Sequence, residues 1–376
     1  VSAFPGSFST VDLDDAEAVL AADRDGALWA ASMAGAQVRA TAAAVDEGAL
    51  DGIRSESRDY PPRTIIWLST RGTAATAGSL LAATRGHSAR APLVQAAEVP
   101  SWIGSLDVLI VAGDDPGDPA LVAAAAAGVR RGARVVVVAP YEGPLRDATA
   151  GRVAVLEPRV VVAAEFGLPR YVAAGLAILD ALEGDGGGAP TDLGALADEL
   201  DAEALRNSAA RELFTNPAKL LADRIVGRDV VLAGDCAATL ALARHGSVAM
   251  LRVGLTPVAA TGLPDAVSAL RARSGGPVAD IFHDEQIDGP AADRLRVLAL
   301  TLAAERTVVA ARINGLHDID LIAAADVPLT PDASEEAAGP AAAMGSKSSS
   351  GPAEQQLAVL AVRLEMAAAY VRLLRG

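Results

Sequence analysis

The chain carries a single cysteine, Cys236, few aromatic residues and no apolar run long enough to cross a bilayer. One thiol cannot close an internal disulfide, so packing and hydrogen bonds must hold the fold, as expected in a reducing compartment. Aromatic residues make up only 3% of a chain whose apolar content is 51%. Its cores must therefore be filled mainly by Ala, Val and Leu. The richest apolar stretch, Leu121 to Val129, is a short Ala-rich helix pattern, well below the roughly 20 residues of a membrane span. Residues 1–15 show no basic region followed by an apolar one, so no signal peptide is expected and a cytoplasmic location is the simplest expectation. Positive charge is also scarce, with 32 Lys and Arg against 47 Asp and Glu and a formal net charge of −15. Such a surface repels phosphate backbones and anionic lipids, which argues against nucleic-acid and membrane partners. The four histidines, His87, His245, His283 and His317, do not fall at metal-ligand spacing, and no Gly-x-x-x-x-Gly-Lys-Ser/Thr loop is present. Neither a metal nor another cofactor is expected.

What is present is a repeated α/β pattern in 376 residues, about twice the usual single-domain length. Thr64 to Ser69 follows the Pro61-Pro62 breaker as a first strand, and a helix is expected from about Ala75 to Thr84. Asp107 to Ala112 is a nearly continuous apolar run of the kind buried on both faces of a parallel sheet. Asp118-Pro119 opens a helix with an acidic N-cap and Pro in its first turn, ending near Arg131-Gly132. Arg134 to Ala139 and Val153 to Glu157 read as further strands and Pro169 to Leu182 as a closing helix. This order predicts right-handed strand–helix–strand units. The glycine-rich stretch from Gly184 to Pro190 marks a boundary. After a helical stretch from Leu193 to Val226 the pattern restarts, with strands expected at Asp229–Ala233, Val248–Leu251, Ala279–Phe282 and Leu295–Leu300. Helices at Ala237–Arg244 and Pro264–Ala272 alternate with them. Gly339 to Pro352 reads as a polar loop, and Glu354 to Leu374 as a long amphipathic helix. The expected fold class is α/β, with two tandem doubly wound domains of parallel sheet flanked by helices.

The order of these elements resembles the double sugar-isomerase (SIS) architecture, and specifically bifunctional phosphoglucose/phosphomannose isomerases. The segment Asp107 to Val138 looks like the family's strand, phosphate loop, helix and next strand, and Ser69 to Gly78 sits where the family has a Gly-rich loop. Leu168-Pro169-Arg170 resembles the family's Pro-Arg, Asn216-Pro217-Ala218-Lys219 the opening of its second domain, and His283-Asp284-Glu285 its His-Asn-Glu segment. Leu357 to Gly376 looks like its late helix. The similarity runs in order over residues 10–376. It implies an N-terminal helical segment (1–59) packed on the core, a first SIS domain (60–183), a Gly-rich linker (184–192) and a second SIS domain (193–376). It also implies a homodimer and a small-molecule sugar ligand.

The motifs that should carry phosphosugar chemistry depart from the family. Its phosphate loop reads Ser-Tyr-Ser-Gly-Asn-Thr, where hydroxyls and backbone N–H groups converge at a helix N-terminus. The matching stretch here, Gly113 to Asp118, has lost both serines and the threonine and carries Asp114, Asp115 and Asp118. Two unit charges about 4 Å apart repel by on the order of 4 kcal/mol at an effective dielectric near 20. A phosphate dianion would meet that repulsion without its hydroxyl donors, and Pro116 removes an N–H as well. Asp118 as an N-cap beside two solvated carboxylates is one reading; a site for a cation or a positively charged sugar is the other. The Gly-rich loop keeps Ser69, Gly72 and Thr73 and gains Arg71, which either holds an anion or pairs with Asp114 or Asp115.

Aldose–ketose isomerisation needs a base to move a proton between C1 and C2. The family takes it from an Asn-Glu-Asn-Ala-Lys segment, whereas Arg252 to Asp265 here contains no Glu and only Asp265 at its end. The family's C-terminal-extension lysine has no counterpart in these residues. By resemblance, Arg170 stabilises enediolate charge and His283 opens the ring, with Glu285 beside it. Against this stand an Arg170–Glu165 ion pair and a hydrogen-bonded core role for His283. Cys236, beside Asp235, reads as a small buried residue rather than a nucleophile. Three functions follow: a family member that binds a carbohydrate derivative with isomerase activity reduced or lost; an active isomerase with Asp265 or Glu285 as a relocated base; and a non-catalytic protein dimerised through its last helix.

Overall fold

The apolar runs become the central strands of two parallel sheets. The computed structural model describes residues 11–183, 190–274, 295–326 and 351–375. It comprises one compact unit of residues 29–204 with 353–358, and another of 1–28, 205–352 and 359–376. The expected strand Ala279–Phe282, His283, Glu285 and most of the glycine-rich and Gly339–Pro352 stretches lie outside the described residues.

Helices α1 (Ala16–Ala22), α2 (Ala27–Ser32), α3 (Ala34–Asp46) and α4 (Asp51–Asp59) precede the first sheet. Then follow β1 (Thr64–Leu68), α5 (Gly72–Arg85), β2 (Leu93–Ala96), β3 (Asp107–Ala112), α6 (Pro119–Arg130), β4 (Arg134–Val138), α7 (Gly143–Thr149), β5 (Ala154–Val155) and α8 (Leu168–Glu183). The strands are all parallel in the order β2-β1-β3-β4-β5. β3 is buried along its whole length, because helices cover both faces of a central parallel strand. Its one charged residue, Asp107, sits at the opening end, where Arg63 donates to it through Nε at 3.0 Å and Nη2 at 2.6 Å, and the Gly104 N–H donates at 2.8 Å. Close packing on the other side comes from small residues. A Cβ on Gly78 of α5 would lie 2.4 Å from the Trp67 ring, and one on Gly175 of α8 would lie 2.2 Å from Leu81. The sheet order reverses between β1 and β3, so the loops at residues 69–71 and 113–118 open side by side at the carboxyl edge. That is where ligands meet sheets of this kind.

Helix α9 (Leu193–Arg206) follows, then α10 (Pro217–Ile225), β6 (Val230–Gly234), α11 (Ala237–Arg252), β7 (Ala259–Gly262), α12 (Leu263–Ser274), β8 (Arg296–Leu300), α13 (Arg306–Ile313), β9 (Ile319–Ile322) and α14 (Ala353–Arg375). The second sheet runs β7-β6-β8-β9, again all parallel. The expected strand at Val248–Leu251 is instead the last turn of α11. Ala249 and Met250 continue a buried helical stripe through Leu242 and Gly246, with Gly246 admitting the side chains of Leu232 and Leu364, while Val248 and Leu251 face outward. The true edge strand is β7, and β2 and β9 were also absent from the expectation. Val153–Glu157 contributes only the two-residue strand β5.

The motif Asn216-Pro217-Ala218-Lys219 has a structural task. Asn216 caps α10 by accepting from the Lys219 N–H at 3.0 Å. The fully buried Lys219 ammonium donates to the carbonyls of Leu13, Ala209 and Arg211 at 2.6, 2.9 and 2.5 Å. Leu357, Leu360, Leu364 and Met366 of α14 are buried within the chain, so this helix has no free apolar face on which a second copy would dock. Correcting the dimer-helix expectation, α14 is a core element.

Glu365 of α14 is buried and lies 2.8 Å from His245 Nε2 of α11. Burial raises its carboxyl above the ordinary 4.5, against the opposing pull of His245. A raised folded value means that the native state holds this proton more tightly than the unfolded chain. Its contribution is complete below pH 4.5 and is lost as pH rises through the folded value. Glu365→Gln should therefore flatten the fall in unfolding free energy on the rising side of that window. Urea denaturation at a series of pH values reads the slope, and an unchanged slope would show that Glu365 does not set it.

Candidate functional site

The amino end of α6 is built as an anion seat and is already occupied. Asp118 is the N-cap, its Oδ1 accepting from the Ala120 N–H at 2.9 Å and its Oδ2 from the Thr70 hydroxyl at 3.0 Å. Burial works to raise this carboxyl, but the N–H groups of Ala120 and Leu121, the Thr70 hydroxyl and the Arg71 charge together hold it below its ordinary value. Arg71 lies 3.9 Å from Asp118 and 3.7 Å from Asp115, and Asp115 closes its own loop by accepting from the Gly117 N–H at 2.8 Å. Arg71 thus pairs with Asp115 and Asp118, and not with Asp114. The donors that would cradle a phosphate here serve side chains of the protein itself. Ser69, Gly72 and Thr73 belong to the same edge. The Ser69 N–H donates to Ala96, Gly72 starts α5 at φ +67°, where the lack of a Cβ matters, and the Thr73 hydroxyl donates to the Ala164 carbonyl at 3.0 Å.

A cavity of about 580 Å³ opens on the other side of β3. Its wall is made by Asp114 after β3, Glu142 after β4, Glu157 after β5, the apolar segment 160–164 and the first turn of α8. The three carboxylates sit on exposed residues at the mouth, whereas Arg170 and Tyr171 of α8 are buried. The Arg170 guanidinium lies over the Tyr171 ring, 4.2 Å from its centre. Its Nη1 has no hydrogen-bond partner, and neither has the Tyr171 hydroxyl. The Glu165 ion pair left open by the sequence does not occupy that nitrogen. Burial pushes the Tyr171 hydroxyl up to about 12, assisted by Asp114 and opposed by Arg170, so it stays a donor at neutral pH. Arg159, the cation next to Glu157 in sequence, is held by Glu47 through two hydrogen bonds of 2.8 and 2.5 Å. The cavity therefore has an acidic mouth and a basic, hydrogen-bond-donating floor.

Of the residues singled out in the sequence, the structure brings Asp114 and Arg170 to this cavity and gathers Ser69, Arg71, Gly72, Thr73, Asp115 and Asp118 at the neighbouring loop edge. Asp265 is in the first turn of α12, 3.4 Å from the Thr261 hydroxyl, where it supports the helix start. Glu142, Glu157 and Tyr171 were missed. The first two each lie just beyond a strand end, which was the available signal, and Tyr171 adjoins Arg170. Cys236 begins α11, its sulfur 3.4 Å from the Thr239 hydroxyl in a cap that also engages Asp235. Among the described residues no group of side chains forms a metal site, and no helix is long and apolar enough to cross a membrane.

No protein-family model and no curated protein matches the sequence. Solved structures do match in shape. The C-terminal domain of glucosamine-fructose-6-phosphate aminotransferase from Francisella tularensis superposes with a TM-score of 0.59 at 11% identity, over 94% of this chain and 98% of that one. Tagatose-6-phosphate ketose/aldose isomerase from Escherichia coli gives 0.56 at 13% identity, over 90% and 91%. A hypothetical protein from Thermus thermophilus gives 0.57 at 12% identity, over 96% and 89%. The chain thus has the tandem α/β fold of sugar-isomerase structures, the architecture its motif order resembles.

Proposed function

We propose that this protein binds a carbohydrate derivative in the cavity of its first α/β unit and does not isomerise hexose phosphates there. The Asp118 carboxylate carries this reading, because it fills the anion seat that a phosphosugar site at this loop would need. The fold similarity to a ketose/aldose isomerase and to an aminotransferase domain supports a sugar as the ligand class. The acidic mouth works against a phosphate dianion and suits hydroxyl or amino donors. A soluble cytoplasmic location and a homodimer belong to the same reading, the latter formed through a surface other than α14.

A thermal-shift screen tests the ligand class. A ligand at about 100 times its dissociation constant stabilises the fold by about 2.7 kcal/mol. Neutral or amino sugars should shift the melting temperature, and glucose-, mannose- and fructose-6-phosphate should not. Asp118→Ala should lose about 1 kcal/mol with its cap and gain a phosphate-dependent shift that the parent lacks. Turnover of a hexose 6-phosphate by the parent protein would refute the reading.

Arg170 gives a second expectation. A buried cation with unmet donors weighs on the empty protein, and the Tyr171 ring offsets only part of that. Arg170→Met should leave the unliganded protein as stable as the parent or raise its stability by about 1 kcal/mol. Chemical denaturation measures this, and a loss of several kcal/mol would instead make Arg170 a structural residue.

A further inference from the structure

The cavity separates charge with depth. Its mouth holds Asp114, Glu142 and Glu157, and its floor holds Arg170, which is 8% exposed, with an unpartnered Nη1 beside an unpartnered Tyr171 hydroxyl. A buried guanidinium nitrogen without a hydrogen-bond partner is unfavourable unless a ligand supplies one. A carboxylate suits it, because a planar fork of N–H donors matches two carboxylate oxygens and the tyrosine adds a third donor. A plain anion would cross three carboxylates to reach that floor. A plain cation would satisfy the mouth and leave Arg170 unpaired. Pro140, Pro158 and the valines of segment 160–164 also line the cavity and give it an apolar wall beside the charged groups. The volume lies within the range of small-molecule sites.

We propose that the cavity takes a zwitterion, a small polyhydroxylated molecule whose carboxylate seats on Arg170 and Tyr171 and whose ammonium group faces Asp114, Glu142 and Glu157. An amino-sugar acid has this chemistry. The proposal rests on the carbohydrate-derivative reading and narrows it.

Isothermal titration of the full chain with five probes on one hexose ring tests it: glucosaminuronic acid, whose ammonium at C2 and carboxylate at C6 lie at opposite ends, glucuronic acid, glucosamine, glucose and glucose 6-phosphate. Glucosaminuronic acid should bind at least about tenfold more tightly than glucuronic acid or glucosamine, each of which lacks one of its charges. Arg170→Met should weaken glucosaminuronic acid by at least about 30-fold while leaving glucosamine nearly unchanged. Arg170→Lys, which keeps the charge without the fork, should fall between and serves if the methionine variant does not fold. Glu142→Gln combined with Glu157→Gln should remove the advantage over glucuronic acid. Equal binding of glucose and glucosaminuronic acid would overturn the zwitterion proposal and leave the sugar reading standing. Tighter binding of glucose 6-phosphate than of any other probe would overturn both. If none of the five binds, the zwitterion proposal fails, and the sugar reading fails with it only when the wider thermal-shift screen is silent too.

Discussion

The Asp118 carboxylate, lodged on the first-turn N–H groups of α6, sets what the carboxyl edge of the first sheet can do. Helix N-termini at such edges are positive, under-bonded positions that draw anions. Where the cap is a hydroxyl residue, some of those donors stay free for a ligand. Here the helix is closed by a full negative charge, backed by Thr70 and Arg71 from the facing loop. The loops that face each other where the strand order reverses are thereby tied together by internal bonds. This gain in local stability removes the anion site, and the cavity with the most open chemistry is displaced to the far side of β3.

That displaced cavity follows an opposite logic. The loop edge satisfies its own charges, whereas the floor of the cavity leaves the Arg170 Nη1 and the Tyr171 hydroxyl without hydrogen-bond partners. Position explains why they are tolerated. Both lie in the first turns of α8, a helix buried along nearly all its length against α3, α4 and α5, so the apolar stripe fixes their direction whatever their own preference. The burial of Leu176, Ile178 and Leu179 on the same helix supplies on the order of 2 kcal/mol per side chain, enough to hold an unsatisfied polar group in place. Groups held against their solvation preference by a rigid helix are pre-organised, and binding then needs little reordering.

The central architecture was legible in the sequence because β1, β3 and β4 are runs of Ile, Val and Leu with clear breakers, and because Asp118-Pro119 marks a helix start by its own chemistry. Short, partly exposed strands were not. β7 reads Ala-Ala-Thr-Gly and β9 Ile-Asp-Leu-Ile, too brief and too mixed to stand out. Val248–Leu251 misled for the converse reason, since four apolar residues at the end of a helix look like a strand when the preceding turns are Ala-rich. Asp118 as a cap and Arg71 as its ion-pair partner could be weighed from local sequence. The cavity could not, because its acidic mouth joins residues from three separate strand ends, and nothing local relates Glu142 to Glu157 or either to Arg170.

The second unit shows how a chain poor in aromatic residues fixes its helices. Ala-rich faces pack closely but offer little area and little direction, so one helix can slide along another at small energetic cost. Buried polar anchors remove that freedom. Lys219 ties α10 to three carbonyls, the Tyr370 hydroxyl of α14 donates to the Asn207 carbonyl at 2.7 Å, and Arg363 of α14 donates to the carbonyls of Ala323 and Ala324 after β9. Each bond is directional, and each polar group would be left unsatisfied by a shift of even one turn. The His245–Glu365 pair adds a further register mark between α11 and α14. Apolar burial supplies the bulk of the stability, and these few polar groups select one arrangement from the many that small side chains would permit.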